Sequence, residues 1–135
     1  MRLLGIDYGG KRIGIALSDE DGRLAFPHSI ITNDAHTVKR ISDICKAESV
    51  KTIILGESRT YKGIENLIMK KIVCFKKEFE ATTGLPVFFE PELLTSQEAK
   101  RGREVGSKKL VDDSAAAIIL QSYLDKVQEQ RKWKK

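Results

Sequence analysis

Apolar residues in the first quarter of the chain fall into three short runs, residues 3–6, 13–17 and 24–31. The breaks between them are Asp7-Tyr8-Gly9-Gly10-Lys11 and a segment holding Asp21-Gly22. Runs of this length bounded by glycine predict strands, and both breaks are short enough for hairpins. Three consecutive antiparallel strands are therefore expected. Beyond Asn33 and Asp34, residues suited to capping a helix, the spacing changes. Val38, Ile41, Ile44 and Cys45 recur every three or four positions, with Lys39, Arg40 and Lys46 between them. That period predicts an amphipathic helix.

Residues 50–55 form a β-branched and apolar run stopped by Gly56, as a strand covered on both faces would. Ile64, Leu67, Ile68, Ile72, Phe75 and Phe79 make a second helical stripe, and Lys70, Lys71, Lys76 and Lys77 lie off it as a solvated face. Gly84-Leu85-Pro86 ends that helix, and Val87-Phe88-Phe89 reads as a short strand. Thr95 and Glu98 fit a capping box that opens a short helix. Residues 101–109, with Gly102, Gly106, Arg101, Arg103, Lys108 and Lys109, read as a mobile basic loop that contacts an anion. Residues 111–127 predict a final helix, nearly continuous in apolar residues over 115–120 and so buried on a wide face. The expected architecture is α/β: an antiparallel three-strand meander plus two parallel strands, a mixed five-stranded sheet flanked by helices. It occupies a single domain over residues 1–135, with 128–135 a frayed basic tail.

The 135-residue length suits one domain that can bury a core without a disulfide or structural metal. Cys45 and Cys74 sit in apolar helical stretches outside any paired-cysteine motif, which predicts reduced core thiols and no zinc site. Twenty-four Lys and Arg against nineteen Asp and Glu give a formal charge of +5, which suits an anionic partner without demanding one. No apolar run is long enough for a membrane span or a leader, so a cytoplasmic location is expected.

The candidate chemistry starts with Asp7, a carboxylate at the end of an apolar strand beside a turn of little bulk. Burying it requires a cation or hydrogen bonds, so it either caps the hairpin or holds a divalent ion. Glu92 follows a predicted strand end and Asp112 starts the last helix, where a helix cap is the other explanation. Spacing alone leaves these alternatives open. Lys11 and Arg12 flank Asp7, either as a hairpin-tip pair or as cations for a phosphate. Tyr8, His28 and His36 receive no role.

Four segments carry a resemblance: GIDYGGKRIGIALSD at 5–19, IILGESRTYKG at 53–63, ELLTSQEA at 92–99 and VDDSAAAIILQSYLD at 111–125. Together they resemble the YqgF family of pre-16S rRNA nuclease and Holliday-junction-resolvase-like proteins, whose fold is ribonuclease-H-like. The resemblance spans nearly the whole chain. It implies an acidic triad of Asp7, Glu92 and Asp112 that is both catalytic and metal-binding, holding Mg²⁺ or Mn²⁺, two ions in all. It implies metal-assisted phosphodiester hydrolysis in structured RNA or branched DNA, with Gly9, Lys11, Arg12, Arg101 and Arg103 contacting substrate. Maturation of the 5′ end of pre-16S rRNA is the expected function, with pre-ribosomal particles as partners. The protein would act as a monomer, or as a homodimer if it resolves junctions by two symmetric cuts.

Two motifs depart from the family pattern. Pro91-Glu92-Leu93-Leu94-Thr95-Ser96 stands where Asp-Glu-Arg-Leu-Thr-Ser is usual; if the lost arginine grips phosphate, its replacement by Leu93 either weakens substrate binding or shifts the job to Arg101, Arg103 or Lys62. Glu57-Ser58 replaces the usual Leu-Pro, so Glu57 is either an extra ligand or a surface acid paired with Arg59 or Lys62, while Glu90 and Asp113 are alternates for the second and third ligands. Two other readings are a phosphotransferase and a non-catalytic nucleic-acid-binding protein on the same fold. The first is disfavoured by a chain too short for two nucleotide-clamping domains and by the absence of a P-loop pattern.

Overall fold

A computed structural model describes residues 2–57, 63–91 and 108–133. The meander forms as the alternation requires: β1 (Arg2–Tyr8), β2 (Arg12–Ser18) and β3 (Ala25–Thr32) pair antiparallel in sequence. The second hairpin closes where Gly22 takes φ 69°, a backbone state that glycine adopts without steric cost. Asp19 Oδ1 accepts the Arg23 and Leu24 amides across the same turn. After α1 (Thr37–Glu48), β4 (Val50–Glu57) joins β1 in parallel. After α2 (Gly63–Thr83), β5 (Val87–Pro91) joins β4 in parallel. The sheet order is β3-β2-β1-β4-β5, and α3 (Lys108–Trp133) follows.

Period-2 alternation divides the sheet's side chains between two cores. Leu4, Ile6, Ile13, Ile15, Ile53 and Leu55 pack with Ile41 of α1 and with Ile72, Phe75 and Phe79 of α2. On the opposite face Ala16 and Ile54 pack with Ala116, Ala117, Ile119, Leu120 and Leu124 of α3. The central strands are buried on both faces, which is why residues 53–55 read as a continuous apolar run.

Four expectations change. Cys45 is buried, and burial pushes its thiol up to about 11, but Cys74 is exposed because it lies off the Ile72-Phe75-Phe79 stripe. Residues 128–133 continue α3 instead of fraying, and Gln128 Nε2 donates to Arg23 O at 3.1 Å. Lys108 and Lys109 belong to the first turn of α3, not to a loop. Asn33 and Asp34 do not cap α1 by side-chain hydrogen bonds; the N-cap position is His36. The helix expected from Thr95 and the basic segment 101–107 lie outside the described residues. Among the described residues no helix is long and apolar enough to cross a membrane.

Candidate active site

Asp7 occupies the carboxyl end of β1, opposite Gly14 of β2 and one residue past the Ile6–Leu55 pair with β4. In α/β sheets this end is where ligands collect, since the diverging connections leave a crevice there. Alternation along β1 places Ile6 and Tyr8 on the α1/α2 face and Gly5 and Asp7 on the α3 face. Because Gly14 carries no side chain, space stays open beside the half-buried Asp7. The result is a pocket of roughly 160 Å³ lined by Asp7, Gly9, Arg12, Gly14 and Ile30. Of the expected substrate contacts, Gly9 and Arg12 line this pocket, while Lys11 stands exposed at the neighbouring turn.

The turn beside Asp7 is fixed by close approach. A Cβ at Gly9 would lie 2.5 Å from the Arg12 carbonyl oxygen, so only glycine fits. Asn33, expected as a helix cap, instead ties the end of β3 to this turn. Its Nδ2 donates to Gly9 O at 2.8 Å and its amide donates to Lys11 O at 2.9 Å. Asp34 then organises the start of α1, accepting the His36 amide at 2.8 Å while Thr37 Oγ1 accepts the Asp34 amide at 2.9 Å. The His36 hydrogen bond first, and the Arg40 guanidinium second, hold the Asp34 carboxyl below its usual range.

Helix α3 crosses β1 at very short range. A Cβ on Gly5 would lie 2.8 Å from Leu120 Cβ and 3.0 Å from Ala116 O. Asp112 stands one helical turn before Ala116, and Tyr123, Leu124 and Val127 farther along α3 lie with Leu3 and Thr52 at the amino ends of β1 and β4, so the start of the helix is directed toward the Asp7 end of the strand. The backbones of Asp112 and Asp113 lie in α3; their side chains are outside the described ones.

Glu90, held open in the sequence as an alternative ligand, has a structural partner. It is 3% exposed, and its Oε2 accepts Lys126 Nζ at 2.7 Å and Ser122 Oγ at 2.8 Å. These bonds join the last residues of β5 to α3, so Glu90 is a positioning residue for the strand that leads into Glu92. We expect Lys126→Met to lower stability by about 1–2 kcal/mol in urea unfolding, less than a fully buried pair because Lys126 is largely exposed. An unchanged midpoint would remove this role.

Glu57 ends β4, half-buried, next to the Gly56–Glu90 pair. Tyr8 packs its ring on Phe75, with centroids 5.3 Å apart, and so belongs partly to the core. His28 is exposed and bonded to Ser29 Oγ. Glu92, Lys62, Arg101 and Arg103 lie outside the described residues. Among the described residues, no three His, Cys, Asp or Glu side chains gather into a metal-binding group. Sequence reasoning missed Gly14, Ile30, Asn33, Ser122 and Lys126; Gly14, a glycine within an apolar strand run, was the one signal available.

Comparison with known proteins agrees with this architecture. The family model described as RuvX: Holliday junction resolvase matches residues 1–126. A protein of Nitratidesulfovibrio vulgaris strain DP4, named "Putative pre-16S rRNA nuclease", is 37% identical, with 97% of this chain and 98% of the relative covered. One of the same name from Syntrophus aciditrophicus strain SB is 35% identical, covering 97% and 93% respectively. Among solved structures, Thermus thermophilus RuvC in complex with a Holliday junction substrate superposes with a TM-score of 0.63 at 14% identity, covering 95% of this chain and 96% of that one. The fowlpox virus Holliday junction resolvase gives 0.58 at 16% identity, covering 93% and 99%. These two establish the ribonuclease-H-like fold of the resolvases. With the full-length match to its relatives, the chain belongs to the RuvX family of nucleases, the group its motifs resemble under the name YqgF.

Proposed function

We propose that this protein is a divalent-metal-dependent endonuclease that matures the 5′ end of pre-16S rRNA. The observation that carries the reading is Asp7, set in a glycine-walled pocket at the carboxyl end of the central strand, with α3 packed against that strand only two residues away. Asp7, Glu92 and Asp112 would hold the metal. An all-carboxylate donor set of hard oxygens suits Mg²⁺ or Mn²⁺, and the open space beside Asp7 leaves room for water and a phosphate oxygen. When bound, such ions supply Lewis acidity at the phosphoryl oxygens and lower the pKa of bound water.

The chain's own contribution is placement. Arg12 lines the pocket with Asp7, where its guanidinium can take a phosphate that would otherwise be repelled by the carboxylates. Gly9 and Gly14 let the substrate backbone approach without side-chain obstruction. The Glu90–Lys126 pair fixes the end of β5 against α3, which supports bringing Glu92 and Asp112 to the same end of the sheet as Asp7.

Relatives' names point to ribosomal RNA, while the family model and the RuvC complex point to DNA junctions. A competition series decides between them. Cleavage rates are measured on a precursor spanning the 16S 5′ end, on unrelated RNA of equal length and on a four-way DNA junction. The proposal expects the precursor to give the highest kcat/KM. Preferential, symmetric cutting of the junction would replace it with the resolvase reading.

A further inference from the structure

The lysines of α2 do not form one uniform solvated face. Lys76 pairs with Glu80 at 3.0 Å and lies 6.0 Å from the Phe89 ring centroid. Lys70 and Lys71 are exposed and instead line a groove of roughly 330 Å³ with Tyr8, Asn33, Thr37, Cys74 and Phe75. The groove lies on the α1/α2 face of the sheet, opposite the Asp7 pocket, yet the two are neighbours at the sheet's end. Tyr8 follows Asp7 directly, and Asn33 is bonded to the very turn whose Gly9 lines the Asp7 pocket.

The turn between β1 and β2 adjoins both hollows, since Gly9 lines the pocket and Asn33 of the groove is bonded to it. Gly9 is demanded by the Arg12 carbonyl, but a Cβ at Gly10 would meet nothing within 4 Å, and Gly10 does not take a positive φ. The fold therefore places no steric demand for glycine at Gly10, and its lack of bulk leaves a saddle between pocket and groove.

Charge along the groove has a direction. α2 starts from the Asp7 end of the sheet, because it follows β4 and returns to the start of β5, so Lys70 and Lys71 precede Glu78 on the way from the site. The other acid of the groove, Asp34, is paired with Arg40 at 3.3 Å. Among the described residues neither Lys70 nor Lys71 pairs with an acid, and both stand at the end nearest the Asp7 pocket.

We infer that this groove holds the nucleic-acid strand that leaves the active site, which crosses the turn at Gly10 and sets two of its phosphates against Lys70 and Lys71. The inference rests on the nuclease reading above and adds a second, sequence-independent contact region to it. The groove's length beyond the cleaved bond would make the enzyme depend on a flanking strand.

The test compares wild type, Lys70→Gln/Lys71→Gln and a control, Lys51→Gln/Lys77→Gln, which removes equal charge from exposed lysines outside the groove. The groove variant is expected to raise KM for the flanked RNA precursor about 10-fold at low salt and to lower the salt slope of binding by about 1.4, two phosphates' worth for a single strand. The control should stay within about 2-fold of wild type. Maleimide modification of Cys74, the reactive thiol since Cys45 is buried, should slow at least 5-fold when the precursor is bound. Equal KM values for the two double variants with an unprotected Cys74, in a wild type that cleaves, would overturn the groove. A wild type that neither binds nor cleaves nucleic acid would instead overturn the nuclease reading beneath it.

Discussion

Asp7→Asn is expected to lower kcat by about 10²–10³-fold or more while leaving the melting temperature and RNA affinity in the absence of metal close to wild type. The magnitude is that of losing one preorganised charged group at a reacting centre. Asparagine keeps the shape of the side chain, and Asp7 is half-buried at a strand end instead of deep in the core, so folding should not suffer. The change removes a negative donor that the proposed metal needs, so Mn²⁺ titrated by calorimetry should bind more weakly to the variant. A non-catalytic nucleic-acid-binding protein would respond differently. Its Asp7 would be only a hairpin cap, and the substitution would cost stability without altering metal binding. Retained cleavage in Asp7→Asn would remove Asp7 from the chemistry altogether.

Gly5→Ala should be strongly destabilising, with an expected loss of about 1–3 kcal/mol and a drop in melting temperature of roughly 5–10 °C. The added carbon would lie 2.8 Å from Leu120 Cβ and 3.0 Å from Ala116 O. Both atoms belong to or adjoin helix backbone, so neither can swing aside as a flexible side-chain tip would. Relief requires α3 to move off β1. Since α3 carries Asp112 and β1 carries Asp7, kcat should also fall at temperatures where the variant is fully folded. Gly10→Ala provides the contrast, with no atom within 4 Å of the new carbon and no expected change in melting temperature. Thermal unfolding of the two variants side by side checks the argument, and equal midpoints would contradict the close helix–strand contact.

The order and type of the elements were legible because each rests on a local pattern. The alternating runs around Asp7 and Asp21-Gly22 define the meander, and the three-and-four spacing of Ile72, Phe75 and Phe79 defines the buried stripe of α2. Asp7 was legible for the same reason, as a lone carboxylate at the end of an apolar strand. What could not be read were the contacts made between distant segments. Asn33 looks like a helix cap from its neighbours alone, and its bond to Gly9, 24 residues away, exists only once β3 returns beside β2. The partners of Glu90 were equally hidden, since α3 brings Ser122 and Lys126 onto it from 32 and 36 residues away. The frayed tail was misjudged because high charge in residues 128–133 conceals a helix that continues past its buried stretch. The groove beside Tyr8 likewise needs α1, α2 and the end of β1 together, and no window of sequence contains all three.

Asp7 at the end of β1, Glu92 just after β5 and Asp112 near the start of α3 are proposed to form a metal-dependent nuclease site. Its most direct test is to incubate wild-type protein with end-labelled 16S precursor in Mg²⁺, in Mn²⁺ and in EDTA, and to map the product ends. One discrete product with a 5′-phosphate is expected in either metal and none in EDTA. Folded protein that binds the precursor yet leaves it intact in every condition, or that cuts equally well in EDTA, would contradict it.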